Sequence, residues 1–143
     1  MNNILEFARE KMNNGNYTCV IISSDKEYAF YERGVKPLLE LLKTKNNFSE
    51  AVAADKVVGA GAAHLYVLLG VRALWANVIS VCAEKILNKN GIEVFSKERV
   101  DNIVNREGNG ICPIEAAVLD VENSQAAYKI IIDTLERIKE KKN

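Results

Sequence analysis

The chain has 143 residues, 48% of them apolar, enough for one continuous core, and a single domain over residues 1–143 is expected. Its 19 basic and 19 acidic side chains cancel, so no large single-sign field draws in nucleic acid or a membrane surface, and neither is expected as a partner. Three cysteines, at positions 19, 82 and 112, form an odd set with no CxxC pair, which argues against a disulfide framework and for reduced thiols.

Met1 to Glu10 mixes Asn, Glu and Arg with isolated apolar residues and reads as neither a secretion signal nor a transit peptide, so a cytoplasmic location is expected. Ile4, Leu5, Ala8 and Met12 recur at helical spacing up to Asn13-Asn14-Gly15, predicting an amphipathic first helix. Tyr17–Ile22 and Tyr28–Tyr31 are β-branched and aromatic runs separated by Ser23-Ser24-Asp25-Lys26, and they predict a hairpin. Pro37 opens a helix whose apolar face is Leu38, Leu39, Leu41 and Leu42 and which ends near Lys45-Asn46-Asn47.

Glu50–Leu69 reads as one long helix, N-capped by Ser49 and closed by Gly70. Its small residues, Gly59 and Gly61 among them, lower helix propensity by about 1 kcal/mol per glycine and call for a close approach, to the sheet or to a ligand. Val71–Ser80 predicts a buried strand, Ala83–Leu87 a helix, and Ile92–Phe95 a further strand, implying a parallel crossover. Asn105–Gly110 is rich in turn residues, Pro113 starts a short helix, and Ala126–Lys141 forms a final amphipathic one. Lys139, Lys141 and Lys142 read as a solvated helix end. Cys19 is expected to be an inert buried thiol, and Tyr17, Tyr28, Tyr31 and Trp75 are expected in the core.

The stretches AADKVVGAGAAHLYVLLGV, ALWANVISVCAEKILNKNGI and NREGNGICPIEAAV resemble an uncharacterised bacterial and archaeal domain-of-unknown-function family assigned to the cytidine-deaminase-like superfamily. That resemblance covers roughly residues 15 to 120. It implies a three-layer α/β/α domain with a mixed sheet of about five strands, and a homo-oligomer is expected rather than a monomer. Zinc deaminases carry a His or Cys with a catalytic Glu at the start of the long helix and a Pro-Cys-x-x-Cys pair after the next strand. Here the first motif is replaced by Ala54-Asp55-Lys56, and after the strand the chain reads Ser80-Val81-Cys82-Ala83-Glu84-Lys85, with one cysteine of the pair. One ligand does not make a zinc site, so no metal or other cofactor is expected. A set made of His64, Cys82 and Cys112 has no spacing signature behind it.

Two polar clusters remain. Asp55 and Lys56, with Gly59 on the same helical face as Asp55, are candidates to bind a small polar or nucleotide-like ligand, against the alternative of a solvated first turn. Asn105, Arg106 and Gly110 belong to a loop whose exposed N–H groups and guanidinium suit an anion. Cys112 stands before Pro113 at a helix N-terminus and is the candidate nucleophile, with Glu115, Asp55 or His64 assisting; Glu115 is equally placed to cap the Cys112 N–H. The readings that follow are a zinc-free ligand-binding protein, a thiol enzyme, a residual zinc deaminase of nucleosides or bases, and an interaction module without a ligand.

Overall fold

The computed structural model describes residues 1–24, 26–44 and 46–142. Asp25, in the hairpin connection, and Lys45, at the predicted end of the second helix, lie outside them. Among the described residues, six helices and five strands follow one another as α1 Asn3–Gly15, β1 Cys19–Ile22, β2 Glu27–Phe30, α2 Lys36–Lys43, β3 Val52–Val58, α3 Ala60–Leu69, β4 Ala73–Ser80, α4 Val81–Lys89, β5 Glu93–Val100, α5 Pro113–Val118 and α6 Ser124–Lys142. The strands form one mixed sheet in the order β2-β1-β3-β4-β5. β1 runs antiparallel to β2 and β3, whereas β3, β4 and β5 are mutually parallel. The predicted hairpin and the parallel β4-α4-β5 crossover are both present.

The long central helix is not formed as expected. Glu50–Leu69 is not a helix: Val52–Val58 enters the centre of the sheet as β3, and the helix starts only at Ala60. Alanine favours helices locally, but here Val52 pairs with Ala73 on one side and Ile22 on the other, and two full ladders outweigh a propensity worth a few tenths of a kcal/mol per residue. Small residues suit a strand covered on both faces, and Ala51, Val52, Ala53 and Ala54 are all buried. Ser49 therefore caps no helix; Gly59 is the N-cap residue of α3.

Layering follows the alternation of side chains along the strands. Val20, Val52, Ala54 and Ala73 pack against Leu5, Ala8 and Met12 of α1 on one face. Ile21, Ala53, Leu74 and Ala76 pack on the other against side chains of α2, α3, α4 and α6. The result is helix, sheet, helix, with a thin cover on one side. Among the four aromatic residues assigned to the core, Tyr31 is instead 67% exposed, stacked on Tyr17 with ring centroids 4.6 Å apart. Lys139 and Lys141 are exposed on α6, and the Lys142 side chain lies outside the described residues. No helix among the described residues is long and apolar enough to cross a membrane.

Candidate functional site

Asp55 stands on β3 opposite Cys19 of β1, beneath α3. The Tyr66 hydroxyl donates to Asp55 Oδ2 at 2.6 Å and lies 3.2 Å from Cys19 Sγ, while the Val57 N–H donates to Asp55 Oδ1 at 3.2 Å. Burial pushes the carboxyl up from 3.8 to about 7, against the opposing effect of these hydrogen bonds. Burial, reinforced by the neighbouring Asp55 charge, likewise holds the Cys19 thiol and the Tyr66 phenol well above their ordinary values. The Cys19 thiol is 4% exposed, as its place in an apolar strand requires. Asp55 is half-buried, and Val57, two residues further along the same face of β3, is 47% exposed.

Lys56 does not join this cluster. Successive strand residues point to opposite faces, and Lys56 Nζ donates to Asn16 Oδ1 at the end of α1, across the sheet from Tyr66. The shared helical face expected for Asp55 and Gly59 disappears with the helix. Sequence spacing also missed Tyr66, because its contact with Asp55 depends on α3 folding back over β3. Once β3 is recognised as a strand, that return supplies the signal.

Glu115 forms the second cluster. It is 1% exposed, and its two carboxylate oxygens accept from Ala60 N–H, in the first turn of α3, and from Ile103 N–H. A carboxylate at a helix N-terminus satisfies an orphan donor and meets the positive end of the helix dipole. Glycine at 59 makes room for it: a Cβ there lies 2.6 Å from Glu115 Oε2 and 3.0 Å from Ile103 Cγ1. A Cβ on Gly61 collides with Ile114. The close approach these glycines allow is therefore to α5, not to the sheet. The expected cap of the Cys112 N–H by Glu115 is not made: that N–H donates to the Ile103 carbonyl at 2.8 Å, and Glu115 accepts from Ala60 and Ile103 instead.

Asn105 and Gly110 are joined within a closed turn. Asn105 N–H donates to the Gly110 carbonyl at 2.8 Å, Asn109 N–H donates to Asn105 Oδ1, and Val104 bridges Ile111. Arg106 is exposed on this turn. Cys112 is half-buried at its base. The two clusters sit at different levels of α3, roughly 9 Å apart along its axis for the six residues between Ala60 and Tyr66.

His64 is fully buried, with Nδ1 2.9 Å from Ser124 Oγ, and burial holds its imidazole below the ordinary value. It lies on α3, whereas Asp55 lies on β3. Cys82, in the first turn of α4, lies 3.6 Å from the Leu119 carbonyl; burial and the Glu115 charge raise its thiol. Zinc does not fit this arrangement. The start of α3 offers Gly59, Ala60 and Gly61, the start of α4 offers Cys82 alone, and no group of three or more His, Cys, Asp or Glu among the described residues is placed to hold a metal.

Comparisons with known proteins place the fold. The crystal structure of a DUF1893 family protein from Thermotoga maritima superimposes with a TM-score of 0.82 at 24% identity, covering 96% of this chain and 92% of that one. No curated protein matches. A family model described as a domain of unknown function, DUF1893, matches residues 7–135, nearly the whole length, and the chain belongs to that family.

Proposed function

We propose that the protein binds a small polar or nucleotide-like ligand without zinc, and that the Asp55–Tyr66 pair is the group that reads it. What supports this is the geometry of the Asp55 carboxyl, which accepts from the Tyr66 hydroxyl at 2.6 Å next to the exposed Val57 and is pushed up to about 7 by burial. Near neutral pH such a carboxyl accepts a hydrogen bond in one form and donates one in the other, which suits the N–H and C=O edge of an amide or nucleobase. The mixed sheet of five strands supports the architecture that the deaminase-like resemblance implies, and we read the fold as a zinc-free variant of it.

The test is a thermal-shift screen of nucleobases, nucleosides and nucleotides, followed by titration of any ligand found. Asp55→Asn and Tyr66→Phe are each expected to weaken binding roughly tenfold, the scale of one hydrogen bond to a charged or buried partner. Unchanged binding in both variants overturns the assignment, and loss on Arg106→Ala alone moves the site to the Asn105–Gly110 turn. Cys112 as a nucleophile has less support, because the carboxylate expected to assist it is engaged by Ala60 and Ile103. An iodoacetamide rate at Cys112 well above that of a model thiol at neutral pH is the result that revives it.

A further inference from the structure

The sheet ends on β5, whose outer side pairs with no other strand among the described residues. Glu93 N–H donates to the Arg72 carbonyl, toward β4. By alternation Phe95 and Lys97 also turn their backbone groups to β4, leaving those of Val94, Ser96 and Glu98 directed outward. An edge of eight residues with free donors and acceptors is a template for another strand.

On the thinly covered face, Phe95 lies beside Trp75, its register partner on β4. α1 covers this stripe only in part: Arg9 lies over the Trp75 ring at 4.9 Å, and both aromatic residues remain half-buried. Glu93 and Lys97, at two positions either side of Phe95, share its face and are exposed. Among the described residues neither forms an ion pair, whereas Arg99 is paired with Glu84 at 3.0 Å.

We propose that β5 pairs antiparallel with β5 of a second copy of this chain, centred on Phe95, to make a dimer with one continuous sheet. A two-fold axis normal to the sheet requires a residue to face itself at the centre. Centring on Phe95 sets two aromatic rings at the close approach of a non-hydrogen-bonded pair. Val94 then exchanges both backbone hydrogen bonds with Ser96 of the second copy. Glu93 faces Lys97 of the second copy, twice over by symmetry. Centring on Lys97 sets like charges opposite each other and is disfavoured. The charge pattern of the strand is thus self-complementary in the Phe95-centred register; centring on Ser96 instead sets Glu93 opposite Arg99, which Glu84 already engages, and only the Phe95 centre makes the Trp75–Phe95 stripe continuous across the interface.

Sedimentation equilibrium over a concentration series tests this. A dimer is expected for the native chain. Lys97→Glu, an exposed surface change, is expected to weaken it roughly tenfold or more, and Glu93→Lys combined with Lys97→Glu to restore it. Ser96→Pro removes an outward N–H without touching the β4 ladder and is expected to give a monomer of unchanged circular dichroism. A native chain that is monomeric throughout overturns the proposal, as does a dimer indifferent to both Lys97→Glu and Ser96→Pro.

Discussion

Asp55 couples folding to pH in an unusual direction for a carboxylate. The folded chain keeps its proton up to about pH 7, while the unfolded chain releases it near 3.8. The stabilising contribution is therefore full below the lower value and falls as pH rises through the upper one, by a few kcal/mol at about 1.4 kcal/mol per unit. Urea denaturation between about pH 4 and pH 8 is expected to show this decline, and Asp55→Asn to flatten it and raise stability at the alkaline end. Glu115 acts through its backbone partners. Glu115→Ala leaves Ala60 and Ile103 N–H without an acceptor and is expected to cost about 2–4 kcal/mol. Gly59→Ala forces a methyl against the same carboxylate and is expected to cost about 1–3 kcal/mol. The double variant is expected to cost less than the sum, since removing the carboxylate clears most of the space the methyl needs. The sequence singled out Asp55, Glu115 and Gly59 as residues that matter. It could not assign their partners, because those come from elements far along the chain.

At the scale of elements, the boundaries written in glycine, proline and β-branched runs were legible: α1, the hairpin, α2, β4, α4 and α5 all stand close to where the pattern puts them. β3 was not legible, because its alanines carry a helical propensity that only the flanking ladders override. The misreading had consequences for the candidate site, placing Asp55, Lys56 and Gly59 on one helical turn when they belong to a strand with alternating faces. Burial on both sides of β3 makes a direct prediction. Ala53→Leu, which a solvated helix tolerates, is expected to lower stability by about 1–3 kcal/mol through overpacking, measured by thermal or urea unfolding.

Across the whole molecule the two sides of the sheet are unequal. Several helices cover one face, while α1 alone presses on the other, holding Val20, Val52, Ala54 and Ala73 through Leu5, Ala8 and Met12. Leu5→Ala is expected to cost about 2–5 kcal/mol, and Phe7→Ala, half-exposed on the outer side of α1, less than about 1 kcal/mol. The α/β class and the mixed five-stranded sheet followed from the order of elements. The unequal cover did not, because amphipathic spacing says that a helix has an inner face and not which layer receives it.

The unbroken succession β3-α3-β4-α4-β5 also bears on how the chain reaches this form. Each strand in it joins the next one along the chain, Val52 with Ala73 and Ala73 with Glu93, whereas Cys19 must find Asp55 across the whole of α2. Shorter loops close at lower entropic cost. During refolding, the β3-β4 and β4-β5 ladders are therefore expected to become protected from pulse-labelled hydrogen exchange before the β1-β3 ladder, with the amino-terminal hairpin docking onto a half-sheet already assembled.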